Sequence, residues 1–294
     1  MSAQKDNGYK RNHYIAEMLS GRFTDKDGKL YCCRKENPRN IFRTTPINVF
    51  LESDLYIQYD ENGKRDVSVE KGLSQFEGKA NEVIEKIVSS ARGGMNPGLT
   101  PDEKKIWDEF FCKQWRRLPL WCAETISDDS LYKKCLDSFE NERRPLTDYE
   151  RRRFDDPKRK ARILKNGWVK SVELSGGELM RVLGDKGLCV AVIRNLKKSF
   201  VIGSNPIIRI APNGHTRLDD PAVEALFSIA HDVVVSACLS RGEEKLIDEN
   251  DSNHIRQINE AIWKQSDMIA GRSHELITSL SRGYHGDPSF LGKH

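Results

Sequence analysis

At Val69 the spacing of apolar residues changes, and that change limits what the chain can fold into more than any other feature. Val69, Leu73, Phe76, Ala80, Val83, Ile84, Ile87 and Val88 recur at intervals of three and four until Gly93-Gly94 ends the run. Such spacing makes an amphipathic helix with one face turned to a core. A glycine just past the end supplies the left-handed residue that closes many helices. Ahead of Val69 the pattern is strand-like. KDG at 26–28 is a turn, and KLYCCRK follows as a strand. PINVF and DLYIQYD are further strand candidates, and DENGK at 60–64 holds an Asn-Gly turn. Residues 20–67 therefore predict a small antiparallel sheet.

Thr100-Pro101-Asp102-Glu103 opens a second helix reaching Leu118: Thr caps, Pro takes the first turn, and the acids suit the dipole. Shorter helices are expected over 128–140 and 147–164. The β signal returns in LCVAVIRN and SFVIGSNPIIRI, with LKK as a tight connection between paired strands. Residues 220–239 read as a helix, 241–252 as a solvated loop, and 254–280 as one long helix capped by ENDSNH. The expected fold is α+β: one predominantly helical domain over 11–281, with a small N-terminal antiparallel sheet and a central strand pair. Residues 1–10 are expected to be disordered and 282–294 to form a flexible tail.

A hydrophobic share of 37% and a charged share of 31% suit a polar globular chain, and a net charge of +4 permits a nucleic-acid partner without arguing for one. The seven cysteines are odd in number and none forms CxxC, which argues against a disulfide framework or a zinc ribbon. No stretch approaches the roughly 18 apolar residues of a membrane span, and MSAQKDNGYKRNHY has no signal-peptide core. A reduced cytoplasmic protein without a membrane partner is expected.

Several polar residues interrupt the apolar stripes. With Leu73 as zero, Glu77 falls at about +40°, between Ile84 and Val88. With Ile106 as zero, Gln114 lies at about 80° and Arg117 at about 20°, both inside the second helix's apolar arc. Asn259 sits within the stripe of Ile255, Ile258, Ile262 and Trp263. A buried charge needs a partner, and Arg117 with Glu77 is the economical pairing. The shared explanation is a polar centre. The segment 142–165 is locally basic, and Arg151, Arg152, Arg153, Lys158, Arg159 and Lys160 are its candidate nucleic-acid contacts. The alternative for that segment is an exposed helix and linker. Pro101-Asp102 with Glu103-Lys104-Lys105 echoes a restriction-nuclease signature, but its acids are adjacent at a helix start, so it is set aside.

His13-Tyr14-Ile15 before a short helix and the turn into LYCC resembles the opening of the family called domain of unknown function 4238. Glu70, Glu77, the F…Q-x-x-R-x-P run of Phe110, Gln114, Arg117 and Pro119, SFVIGSNP at 199–206, and INEAI around Asn259 follow in matching order. The resemblance spans roughly residues 9 to 280. Ala16 stands where the family usually has Pro, and Ser204 where an Asp is frequent. If that Asp is a catalytic acid or metal ligand in relatives, Ser204 weakens the same chemistry here.

The functional expectation is a hydrolase acting on a phosphate-containing substrate, nucleic acid or nucleotide. His13 would act as general acid or base, Glu77 would orient it or hold a divalent metal ion, and Arg117 would neutralise phosphate charge. Gln114, Ser204, Asn205 and Asn259 would position substrate. The competing expectation is a non-enzymatic binding or interaction module whose polar network only fixes packing.

Overall fold

The computed structural model describes residues 11–60, 62–174, 176–211, 218–220 and 223–286. The expectation for 1–10 lies outside them, as does the tail expected over 282–294 from residue 287 on; residues 282–286 are helical instead of a loose tail. The fold is α+β. In chain order the first elements are β1 (Arg11–His13), α1 (Glu17–Ser20), β2 (Leu30–Arg34), β3 (Ile41–Thr44), β4 (Leu51–Ser53), β5 (Gln58–Tyr59) and β6 (Arg65–Asp66). Helices follow: α2 (Ser68–Arg92), α3 (Pro101–Arg116), α4 (Pro119–Ser127), α5 (Asp129–Glu142), α6 (Asp148–Phe154), α7 (Pro157–Glu173) and α8 (Glu178–Gly184). Then come β7 (Lys186–Ile193), β8 (Ile202–Gly203), β9 (Ile207–Ile210), β10 (Glu224–Ala230), β11 (Val233–Ser240) and β12 (Glu244–Glu249). The last are α9 (Ser252–Gln265), β13 (Met268–Gly271) and α10 (His274–Gly286). No helix among the described residues is long and apolar enough to cross a membrane.

The chain divides into two compact units. The first takes residues 11–14, 51–76 and 116–174 of those described. Its ribbons β1–β4 and β5–β6 are short and antiparallel, and its helical part packs α4 on α7. Leu55, Tyr56, Val69, Leu73, Cys122, Trp168, Val169 and Val172 form its core, with Tyr56 stacked on Trp168 at 5.9 Å between centroids. Thr147 and Glu150 close α6 with a reciprocal capping box, which satisfies two otherwise orphaned backbone donors.

The second unit takes residues 15–50, 77–115 and the described remainder from 176. It holds a five-stranded sheet of order β12-β7-β11-β10-β9 and a four-stranded sheet of order β3-β2-β13-β8. All neighbours are antiparallel except β12, which runs parallel to β7. Phe227 of β10 anchors α3: Phe110 stacks on it at 5.9 Å, while Trp107 and Phe111 lie within 6.1 Å. Such aromatic contacts contribute beyond their buried area.

Five sequence expectations are corrected here. The described residues of 220–239 are not helical; β10 and β11 form a hairpin turning at His231-Asp232. β10 is buried at every residue but Glu224, and β11 from Val233 to Ala237, so both faces are covered there and no alternation marks them as strands. The 254–280 helix is broken, because Met268–Gly271 leaves α9 and pairs with β2 and β8. The loop at 241–252 contains β12. LCVAVIRN and SFVIGSNPIIRI do not form a hairpin, since β7 and β8 belong to different sheets. PINVF holds a 3-10 turn at Pro46–Asn48 instead of a strand, and Ile41–Thr44 provides the partner of β2.

Candidate functional site

The polar centre expected from sequence is distributed over both units. His13 and Arg117 belong to the first unit, and Glu77, Gln114, Ser204, Asn205 and Asn259 to the second.

In the first unit His13 and Arg117 do come together, through the main chain. β1 pairs with β4 so that His13 faces Leu51 and Asn12 faces Glu52. The Arg117 Nη2 donates to the His13 carbonyl oxygen at 2.5 Å, and its Nε donates to the Tyr56 hydroxyl at 3.1 Å. That hydroxyl donates in turn to the Arg117 carbonyl at 2.8 Å. The guanidinium lies 5.3 Å from the Tyr56 ring centre and is 3% exposed. Burial of Arg117 is as the stripe predicted, and these bonds anchor β1. Sequence reasoning missed Tyr56, which looked like one more strand aromatic. It also missed Asn12, which is fully buried with neither amide atom hydrogen-bonded among the described residues.

In the second unit the substrate-positioning candidates are stitched to backbone. Asn259 Oδ1 accepts from Val201 N and its Nδ2 donates to the Ser199 carbonyl, each at 2.9 Å. The side chain thus replaces a missing strand neighbour, with one donor and one acceptor committed to backbone. Ser204 Oγ accepts from Asp267 N at 2.9 Å, and Asn205 exchanges bonds with Ser266 at 3.1 and 3.2 Å. Gln114 is fully buried and accepts from Ala16 N at 3.4 Å. Glu77 is only half-buried, along a shallow groove with Glu17, Pro46 and Asn81. The stripe angle placed it inside, but that face of α2 is not fully covered there.

Part of the basic segment of the first unit is answered by acids of α5 and α6. Arg151 pairs with Glu140, Lys160 with Asp129, and Arg144 with Glu150 at 2.6 Å. Arg153 lies over Tyr149 and Arg159 over Phe154. Arg152 and Lys158 are exposed.

One cavity in the second unit gathers charge in a way the sequence reading missed. It holds about 450 Å³ between the start of α3, the end of α8, the start of β7 and the 241–244 turn. Lys104, Lys105, Lys186 and Arg241 line it, with Asp108, Glu243 and Glu244. Lys104 reaches both Asp108 oxygens at 2.6 and 2.7 Å and the Leu183 carbonyl at 3.0 Å. Asp108 is 4% exposed. Burial raises its pKa, against the opposing pull of Lys104. Lys186, 8% exposed, donates to the Val223 carbonyl at 3.3 Å. Glu244 is held by the Gly98 and Leu99 amides at 2.6 and 2.9 Å, which fixes one wall. A Cβ on Gly187 would lie 2.3 Å from the Glu243 carbonyl oxygen and 2.4 Å from that of Ser240, so glycine lets the turn close over β7. Lys104 and Asp108 do form an i, i+4 pair on α3, a signal the sequence carried. Lys186 and Arg241 give no such signal, because β7 and the β11–β12 turn meet only in the fold.

A concave pocket with converging cations and one buried carboxyl of raised pKa is equipped to hold an anion and move a proton beside it. The profile of the family described as Protein of unknown function (DUF4238) matches residues 11–275. No curated protein and no solved structure matches the chain.

Proposed function

For this chain, which belongs to the family described as Protein of unknown function (DUF4238), we propose hydrolysis of a small phosphate-containing substrate, of nucleotide size, in the cavity of the second unit. The observation that carries the reading is the meeting of Lys104, Lys105, Lys186 and Arg241 around Asp108. Cations in a partly enclosed site attract phosphate and stabilise the charge that develops on it during displacement. Asp108, with its pKa raised, supplies the proton to the leaving oxygen while water attacks phosphorus on the opposite side. Lys104 steers the carboxyl and holds the carboxylate left by donation, and the proton released by the attacking water returns to it to complete the cycle. Arg117 is assigned to positioning β1 and not to phosphate, since its guanidinium serves main-chain oxygen and Tyr56. Seven free thiols suit a reducing compartment such as the cytoplasm.

The test is turnover of nucleotides, RNA and DNA by the full chain, with and without a divalent ion. Asp108→Asn is expected to abolish turnover while nucleotide binding remains. Undiminished turnover by a folded Asp108→Asn protein contradicts the assignment.

A second reading has its own observation. The two-oxygen bridge from Lys104 leaves Asp108 paired at rest, as a structural ion pair would be. The cavity then binds its anion without changing it, and the same assay finds affinity with no turnover in the parent chain.

A further inference from the structure

Five of the seven thiols are unremarkable: Cys32, Cys33, Cys112 and Cys122 are buried, and Cys135 is exposed. Burial pushes the Cys32 thiol up to about 12 and raises those of Cys33 and Cys122 as well. Cys189 and Cys238 differ. Both are partly exposed on neighbouring strands, β7 and β11. In the ladder Cys189 faces Ser236, and the register then slips before Leu239 meets Gly187. Diagonal residues in a regular ladder stand about 7–8 Å apart, too far for a bond between sulfurs. The irregularity at 236–239 brings Cys238 close enough to share a hydrogen bond with Cys189.

We infer that Cys189 and Cys238 are a peroxide-reactive dithiol that closes reversibly into a disulfide across β7 and β11. Cys238 is the attacking sulfur. It lines a cavity of about 340 Å³ with Arg181, Lys186 and Arg241 and with Asp185 and Asp219, an opening that admits a small oxidant. The hydrogen bond from Cys189, with Ser236 beside it, lowers the Cys238 pKa against burial, and Lys186 adds to this while Glu224 opposes it. The shared hydrogen bond and burial raise the Cys189 thiol.

The electrons balance with a hydroperoxide as oxidant. The Cys238 thiolate attacks one peroxide oxygen, the O–O bond breaks, and the departing oxygen takes a proton, leaving a sulfenic acid. Cys189 sulfur then attacks Cys238 sulfur. The S–O bond breaks, the S–S bond forms, and the released hydroxide leaves as water with the Cys189 proton. A dithiol reductant restores both thiols.

The pair stands whatever the neighbouring cavity binds. Reduced full-length protein is exposed to limiting hydrogen peroxide, with and without dimedone, then alkylated and mapped by mass spectrometry. Expected is one linked species joining the peptides of Cys189 and Cys238, reversed by dithiothreitol. In Cys189→Ser, dimedone should label Cys238. Cys238→Ser and Cys238→Ala should leave Cys189 unmodified, with melting temperatures reporting that each variant is folded. Oxidation of Cys135 while the pair stays reduced would overturn the inference, and so would dimedone labelling of Cys189 in the parent chain.

Discussion

Arg117 donates to the main-chain oxygen of His13 at 2.5 Å, across 104 residues of sequence. A cation inside the first unit thereby holds the strand that carries the family's opening motif. Its fork serves two acceptors at once, which an ammonium cannot copy. Arg117→Lys should lower stability by about 1.5–3 kcal/mol, the range for a hydrogen bond to a charged group. Urea denaturation measures it. A change within error would show that the His13 and Tyr56 bonds contribute nothing.

Asn259 closes the backbone of 199–201 with both ends of its amide. Asn259→Ala orphans a buried N–H and a buried carbonyl, each worth about 1–3 kcal/mol. Asn259→Asp should be at least as damaging, because a carboxylate cannot donate to the Ser199 oxygen. Thermal melts of both variants decide, and an unchanged Asn259→Asp protein would refute this structural role.

Gly203 admits the Ser266 side chain: a Cβ there would lie 2.1 Å from Ser266 Oγ and 2.7 Å from Ile262 Cγ2. Gly203→Ala should destabilise by about 1–3 kcal/mol through overpacking. Adding Ser266→Ala should recover only part, since the Ile262 methyl and the residue 266 Cβ remain too close. Full recovery in the double variant would place the clash wholly at the hydroxyl.

How far these features were legible depended on whether they lay on one helix. Arg117, Gln114 and Asn259 were found because polar residues inside a 3.6-residue stripe stand out. Their partners were not found, since the His13 oxygen, the Ala16 amide and the Ser199–Val201 backbone are main-chain groups that no side-chain pattern reveals. β10 and β11 were missed for a related reason: strands covered on both faces lose the alternation that identifies them. The Lys104–Asp108 pair was visible as spacing, yet its cavity needed Lys186 and Arg241 from a sheet edge and a turn far along the chain.

Asp108 also leaves a mark on stability. Its folded pKa is raised above 3.8 by burial, with Lys104 opposing. The folded state therefore holds this proton more tightly than the unfolded state. Its contribution is fully present below the unfolded pKa and is lost as pH rises through the folded one. Asp108→Asn removes that dependence. The stability of the parent minus that of the variant should accordingly fall as pH climbs upward from 3.8. Denaturation midpoints across the acid range test the sign, and a difference that grows with pH would contradict it.

Calorimetric titration of the full chain with a nucleoside diphosphate tests the central claim most directly. Saturable binding at one site is predicted, weakening with added salt. Lys186→Gln and Arg241→Gln should each weaken it by about tenfold or more, as expected when one charged hydrogen bond to phosphate is lost, with melting temperatures confirming that each variant is folded. Absence of binding, or equal affinity in folded variants and parent, would contradict the assignment of this cavity to phosphate.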